Sequence, residues 1–187
     1  YGITPEEVLP ELRRTAKVVN FGILYGAGPF RISQELGIPR NEAERIISAY
    51  FEQYSGIKNY IDSTIEFAKK HKYVCTMLGR KRPVWEIESD NKIRRNAAVR
   101  MAINMPIQGT AAEMIKLAMI EIHRTLIENK LRSKMVLQIH DELVFEFPDE
   151  ELIDLKKIIV DKMENALPLS IPLVVDCGWG DSWFEAH

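Results

Sequence analysis

The chain has 187 residues and a formal net charge of −2, and its 46% hydrophobic and 28% charged residues are typical of a soluble domain with a core. No apolar run is long enough to span a membrane, and no signal peptide opens the sequence. Cys75 and Cys177 lie far apart without metal-ligand spacing, which favours a reduced, cytoplasmic compartment.

Helical patterns dominate the first two thirds of the chain. Asn41 is expected to cap one helix, with Glu44 three residues later as in a capping box, and Gly56 is expected to end it. The predicted helices are a first turn at Pro5 after Thr4, then residues 12–25, 31–36, 41–54 and 57–71.

The second part of the chain mixes strands with helices. Residues 73–83 are predicted to form two short extended pieces, and residues 134–139 and 143–147 a hairpin. We expect a long helix over residues 91–129 that Pro106 bends, and an amphipathic helix over residues 148–166. With a last strand at 173–177, the sequence predicts an α+β fold in which a small antiparallel sheet with an exposed edge is backed by the long helix.

Four residues on the first long helix recur at every fourth position: Arg13, Lys17, Phe21 and Tyr25. Four-residue steps keep side chains on one broad helix face. Cations hold phosphate oxygens and aromatic rings stack on bases, so the face matches a nucleotide laid along the helix. Gly22 and Gly26 are expected to leave room beside the rings. The alternative is an ordinary amphipathic helix with solvated cations and core aromatics.

The tip of the predicted hairpin is His140-Asp141-Glu142. It lacks the Asn-Gly or Asp-Gly residues that tight turns prefer. Two carboxylates on a stiff hairpin suit a hard divalent cation such as Mg²⁺. A solvated acidic turn is the alternative interpretation.

These motifs resemble those of the family A DNA polymerases. Residues 13–26, RRTAKVVNFGILYG, are similar to the fingers-helix motif of that family, and His140-Asp141-Glu142 is similar to its second palm carboxylate motif. Residues 73–83 resemble its connecting segment. The resemblance implies a fingers subdomain with connecting segment over residues 1–93, including a nucleotide-binding helix at about 12–26, and the C-terminal part of a palm over residues 94–187.

The resemblance implies that a primer 3′-hydroxyl attacks the α-phosphate of a deoxynucleoside triphosphate with the help of two Mg²⁺ ions. Asp141 and Glu142 are then the metal-binding and catalytic carboxylates, and His140 contacts the primer end or the phosphates. Arg13 and Lys17 grip the triphosphate, and Lys17 donates a proton to the leaving pyrophosphate. Phe21 packs near the sugar, and Tyr25 lies beside the templating position.

A polar row on the long helix, Arg100, Asn104 and Gln108, repeats the four-residue spacing. Such side chains can donate to minor-groove acceptors that every base pair presents, so the resemblance implies contact with primer–template DNA. Arg80 and Arg82, with Lys81, Arg94 and Arg95, are candidates for contacts with the DNA backbone. A helix surface satisfied by water and neighbours is the alternative.

The family's first palm carboxylate motif, an Asp followed by a Tyr-Ser-like pair, does not occur in these residues, and the chain starts without Met. We therefore expect a monomeric fragment of a polymerase that is inactive alone, with DNA and deoxynucleoside triphosphates as partners and no membrane contact. A non-catalytic nucleic-acid-binding module and a purely structural domain are the competing hypotheses.

Overall fold

The computed structural model describes residue 4 and residues 7–186, so the turn predicted at Pro5 lies outside the described residues. The chain divides into two compact units, Tyr1–Thr110 and Ala111–His187. The division into fingers and palm at residue 93 remains a prediction. Within the described part, no helix combines the length and apolar character needed to cross a membrane.

Four helices open the first unit, and they confirm the four helical segments predicted there. Asn41 does not cap the third: that helix begins at Arg40 after Pro39, and the Asn41 Oδ1 accepts only from the next amide, of Glu42. Since Arg40 precedes it in the helix, the Glu44 carboxylate pairs with Arg40 instead of reaching back to a cap. The helices are α1 (Pro10–Leu24), α2 (Pro29–Leu36), α3 (Arg40–Gln53) and α4 (Ser55–His71).

The break between α3 and α4 falls at Tyr54 rather than at Gly56. Tyr54 has φ −116° and ψ 59°, outside the helical region, whereas Gly56 lies in the first turn of α4. A glycine is tolerated in that turn because its N–H has no intrahelical partner to lose. The prediction that Gly56 ends the helix was therefore wrong by two residues.

A small hairpin follows, with strands β1 (Tyr73–Cys75) and β2 (Lys81–Pro83) in antiparallel register, as predicted. A short 3₁₀ helix, Trp85–Glu88, comes next. The core of the first unit forms where this segment meets α4 and the next long helix; its buried members are Ala68, Val74, Val84, Ile87, Ala98 and Ala102.

Helix α5 (Lys92–Glu128) is 37 residues long and contains Pro106, which confirms the predicted long helix. The Asn91 Oδ1 accepts from the backbone N–H groups of Ile93 and Arg94, so this side chain caps the first turn. Helix α5 begins in the first unit and ends in the second.

The second unit contains a hairpin of strands β3 (Lys134–Ile139) and β4 (Glu142–Glu146), then α6 (Leu152–Glu164) and a short α7 (Trp183–Ala186). Ala118, Ile122 and Leu126 of α5 and Leu155 of α6 form its buried core, and Leu143 and Phe145 of the hairpin pack against it. This arrangement confirms the predicted hairpin backed by the long helix, and with it the α+β class.

The strand predicted at 173–177 is absent from the described residues, whose second sheet contains β3 and β4 alone. The Val175 N–H donates to the Glu164 side chain at 3.1 Å rather than to a neighbouring strand, and Val174 is 81% exposed. An apolar run favours a strand only where another strand lies alongside to pair with it.

A half-buried carboxylate fixes the start of β3. Glu151 accepts from the backbone N–H groups of Arg132 and Ser133, both at 2.8 Å, and from the Ser133 hydroxyl at 2.6 Å. The Arg132 amide, followed by the Ser133 hydroxyl, lowers the pKa of the Glu151 carboxyl below its ordinary value. The segment that leads into the hairpin is thus attached to the beginning of α6.

Candidate nucleotide, metal and nucleic-acid contacts

The four-residue stripe on α1 faces solvent. Arg13 and Lys17 are exposed, and neither forms an ion pair with a carboxylate among the residues that the structure describes. Phe21 is 50% and Tyr25 41% exposed, and their rings stack with centroids 6.2 Å apart and planes 14° apart. Core aromatics would be covered, so the exposure of the stacked pair favours a binding face over the amphipathic alternative.

The glycines of α1 have a different role from the one predicted. A Cβ on Gly22 would lie 2.6 Å from the Ile32 Cδ1, so its missing side chain admits the buried Ile32 of α2. Gly26 has φ +72°, and a Cβ there would meet the Arg100 Cγ at 3.0 Å. Because side chains of the chain itself occupy both places, the expectation that these glycines leave room for a ligand was wrong.

The end of α1 fixes the position of Tyr25. The Gly26 N–H donates to the Ile23 carbonyl at 2.9 Å and the Ala27 N–H to the Gly22 carbonyl at 2.8 Å. This is the bonding of a Schellman motif, in which the residue after the helix takes a left-handed conformation. Tyr25 is therefore the last ring of the stripe, immediately before a sharp turn.

A contact that sequence reasoning missed attaches α1 to α3. The Tyr50 hydroxyl donates to the Asn20 Oδ1 at 2.6 Å, and burial raises the pKa of that hydroxyl above its ordinary value. Asn20 lies on α1 between the cations and the rings. Thirty positions separate the two residues, and neither carries a local pattern that reveals the pair.

The tip of the second hairpin is a two-residue turn. Ile139 pairs with Glu142, so His140 and Asp141 form the turn and Glu142 is the first residue of β4. The placement of all three residues at the tip was therefore wrong for Glu142. His140 has φ +54°, which is uncommon for a residue with a Cβ, and its carbonyl accepts from the Gln138 side chain at 3.2 Å.

Asp141 and Glu142 offer carboxylates, the type of ligand that a Mg²⁺ site needs, but only two of them. Asp141 is exposed and Glu142 is half-buried, and carboxylate oxygens are the donors that Mg²⁺ prefers. Within residues 7–186, no group of three or more His, Cys, Asp or Glu side chains is arranged to hold a metal ion. The role of these two carboxylates as metal ligands stays a prediction.

The three residues of the polar row on α5 differ in solvent exposure. Arg100 and Gln108 are exposed, whereas Asn104 is half-buried, and its shielded Oδ1 accepts no hydrogen bond from the described residues. Ile103 is 3% exposed, and its carbonyl accepts from the Tyr60 hydroxyl at 2.9 Å. The polar row and the core-facing side of α5 are therefore distinct.

The basic segment lies on the first hairpin and beyond it. Arg82 is exposed on β2, and the Lys81 Nζ lies 4.5 Å above the Tyr73 ring. Arg94 is bound to Glu86 at 3.2 Å, and Arg95 donates to the Ser89 carbonyl at 2.7 Å. Arg80 follows the turn between the strands. Arg94 and Arg95 each have a partner within the chain.

An exposed face of cations and rings, with carboxylates on a hairpin in the same chain, is typical of proteins that bind nucleotides. The chain belongs to DNA polymerase family A, whose family model matches residues 1–185. This confirms the resemblance that residues 13–26 and the second hairpin carry.

The relatives and a solved structure agree with this assignment. DNA polymerase I of Caldicellulosiruptor bescii is 45% identical over 185 residues, 99% of this chain and 22% of the relative. DNA polymerase I of Bacillus subtilis is 44% identical over 186 residues, 100% of this chain and 21% of the relative. The POL domain of Pol1 from M. smegmatis, solved with DNA primer-template and dNTP, has a TM-score of 0.96 at 40% identity and covers 98% of this chain and 32% of that one. The chain thus spans about a fifth of the length of the curated relatives it matches.

Proposed function

We propose that the chain is a C-terminal segment of a DNA-directed DNA polymerase that adds deoxynucleotides to a primer 3′ end by phosphoryl transfer at two Mg²⁺ ions. The observation that carries the proposal is the exposed face of α1, where two cations without carboxylate partners among the described residues precede two stacked rings. Membership of DNA polymerase family A over residues 1–185 supports it, as does the likeness to a polymerase domain bound to primer-template and dNTP.

The α1 face binds the incoming nucleotide. Arg13 gives bidentate hydrogen bonds to phosphate oxygens, and Lys17 contributes a point charge and a proton for the leaving pyrophosphate. Phe21 packs near the sugar, and Tyr25 lies at the templating end of the helix. The Asn20–Tyr50 hydrogen bond and the turn at Gly26 hold this face in one orientation.

Asp141 and Glu142 of the second hairpin hold metal, and His140 contacts the primer end or the phosphates. Bound Mg²⁺ supplies neutralisation of phosphate charge and activation of the primer hydroxyl. The hairpin offers carboxylate oxygens in the turn and at the start of β4. Since the first palm carboxylate motif of the family does not occur in these residues, a further carboxylate from outside this chain completes the set.

Primer–template DNA contacts the polar row of α5 and the basic segment of the first hairpin. Arg100, Asn104 and Gln108 donate to minor-groove acceptors, which checks the geometry of a base pair without preference for sequence. Arg80 and Arg82 contact DNA phosphates.

We place the protein in the cytoplasm as a monomer, and we propose that the 187 residues alone do not extend a primer. The reason is that the first palm carboxylate motif of the family does not occur in these residues, which leaves the second motif without its partner for a two-metal reaction. Primer extension by the purified chain with Mg²⁺ and all four deoxynucleoside triphosphates tests this. Template-dependent incorporation by the chain alone would contradict it.

The catalytic roles are tested in a chimera in which this chain replaces the matching segment of the Bacillus subtilis relative, 44% identical to it. The chimera is expected to extend a primer. Lys17→Ala should lower kcat about 10²-fold or more, because a general acid contributes about 10²–10⁴ in rate. Asp141→Asn should lower it at least as far, since a metal-ion ligand is lost.

Lys58→Ala is the matched control, because Lys58 is an exposed lysine of the same unit whose charge is paired with Asp62 at 3.0 Å. This variant should keep the rate of the unmodified chimera. Full activity of Lys17→Ala or of Asp141→Asn, against an active chimera, would contradict the assignment. Retained DNA binding in an otherwise inactive chimera would favour the non-catalytic binding module.

A further inference from the structure

The turn between β1 and β2 is closed by Thr76. Its backbone N–H donates to the Arg80 carbonyl and its hydroxyl accepts from the Arg80 N–H, both at 3.0 Å. Thr76 is 5% exposed. The backbone of Arg80, the first residue of the basic segment, is therefore held at both its polar groups by one buried threonine.

This turn is attached to α5 through a second buried threonine. The Met77 N–H donates to the Thr110 Oγ1 at 3.0 Å, and the Thr110 hydroxyl donates in turn to the Pro106 carbonyl. Thr110 is 5% exposed. The Thr110 hydroxyl oxygen thus accepts from the β1–β2 turn, while its proton is donated to a carbonyl one helical turn earlier in α5. Among side chains of similar shape, only serine can also do both.

The approach of the turn to α5 is close. A Cβ on Gly109 would lie 2.6 Å from the Thr76 Cγ2, so only glycine at that position lets the turn reach the helix. Gly109 and Thr110 directly follow Gln108, the last member of the polar row. The contact therefore brings the turn that carries Arg80 to the end of the polar row.

We propose that Thr110 is a positioning residue: its hydroxyl holds the turn of residues 76–80 against α5, so that the basic segment and the polar row bind duplex DNA as one surface. The inference rests on the proposed contact of Arg80, Arg82 and Gln108 with DNA. Thr110 does not itself touch the nucleic acid. It holds the backbone N–H of Met77. Because the neighbouring Thr76 bonds the backbone of Arg80, this contact also fixes the orientation of Arg80.

Three readouts on the purified chain test the proposal, with Thr110→Val as the main variant. Valine keeps the shape of threonine but can neither accept from Met77 nor donate to Pro106. Amide hydrogen exchange of Met77 should become about fivefold faster or more, since one hydrogen bond is lost. Affinity for a fluorescein-labelled primer–template duplex should fall about fivefold, and the slope of log K against log salt should become shallower by about one as a phosphate contact is lost.

Thr125→Val is the matched control. Its hydroxyl donates to the Glu121 carbonyl at 2.8 Å within the same helix, four residues back, and holds no turn. This variant should leave the Met77 exchange, the affinity and the salt slope unchanged. Thr110→Ser should restore all three, because serine keeps the hydroxyl. If Thr110→Val does not fold, Gly109→Ala provides the second variant, since its Cβ displaces Thr76 while both hydroxyls remain.

The outcomes separate this inference from the proposed function. If Arg80→Ala and Arg82→Ala weaken binding but Thr110→Val leaves the affinity and the salt slope unchanged, the positioning role is overturned and the DNA contact stands. If the unmodified chain does not bind the duplex, the proposed DNA contact fails and the inference fails with it. A loss of affinity in Thr110→Val that serine does not restore also overturns it.

Discussion

Gly22 has an unusual position, in the last turn of α1 and directly against a buried isoleucine. A glycine costs a helix about 1 kcal/mol relative to alanine, so its presence needs a reason. The reason is the Ile32 Cδ1, which lies 2.6 Å from the place where a Cβ would stand. The contact of Gly22 with Ile32 therefore determines how closely α2 approaches α1, the helix with the proposed nucleotide-binding face.

We expect Gly22→Ala to lower the free energy of unfolding by up to about 2 kcal/mol, because overpacking costs about 1–3 kcal/mol and the gain in helix propensity recovers about 1. Adding Ile32→Val removes the clashing methyl group and should restore most of the loss. Urea denaturation of the two single variants and the double variant measures the coupling. Additive effects, with no recovery in the double variant, would contradict the contact.

At the scale of elements, three helices end in the same way. The N–H groups of Ala27, Ile38 and Leu131 each donate to the carbonyl five residues back, and the residue before each has a positive φ. At the ends of α1 and α2 that residue is glycine, whereas at the end of α5 it is Lys130, with φ +54°. A lysine in this conformation carries a strain that a glycine does not.

We therefore expect opposite effects from two substitutions. Gly37→Ala should lower the free energy of unfolding by about 1 kcal/mol through backbone strain alone, since nothing lies within 4 Å of the added Cβ. Lys130→Gly should raise it by about 0.5–1 kcal/mol, the relief of strain less the entropy cost of glycine. Thermal or urea unfolding of each variant is the measurement.

The controls separate strain from other effects. Gly56→Ala also adds a Cβ to open space, but Gly56 lies in the first turn of α4 without a positive φ, so this variant should not lose stability. Lys130→Ala removes the charge near the helix end and keeps the positive φ, so it should not stabilise the protein. A gain from Lys130→Ala equal to that from Lys130→Gly would show that charge, not strain, is responsible.

At the scale of the whole molecule, local patterns predicted much of the structure. The spacing of Phe21 and Tyr25 identified a shared face, and their stacked rings follow from it. Contacts between distant positions were not predictable: Asn20 with Tyr50, and Met77 with Thr110, join residues without any shared period. The prediction of a strand at 173–177 was wrong for the same reason, since the residue pattern of a strand does not show whether a second strand lies beside it.

The two units have separate cores, and this leads to a prediction about how the chain unfolds. Ile87 lies in the core of the first unit and Ile122 in that of the second, and both are fully buried. Each core includes residues of α5, but the two clusters share no member. Truncation of a buried isoleucine to alanine costs about 2–5 kcal/mol, and the loss acts where the cavity forms.

Ile122→Ala should therefore increase amide exchange mainly in residues 111–186, and Ile87→Ala mainly in residues 68–105, as measured by hydrogen–deuterium exchange under native conditions. The comparison is matched, because the substitution and the burial of the two side chains are the same. The amides at the centre of α5 report on both cores and should respond to either change. An equal increase across both units from one substitution would mean that the chain opens as a single cooperative body, with α5 transmitting the loss along its length.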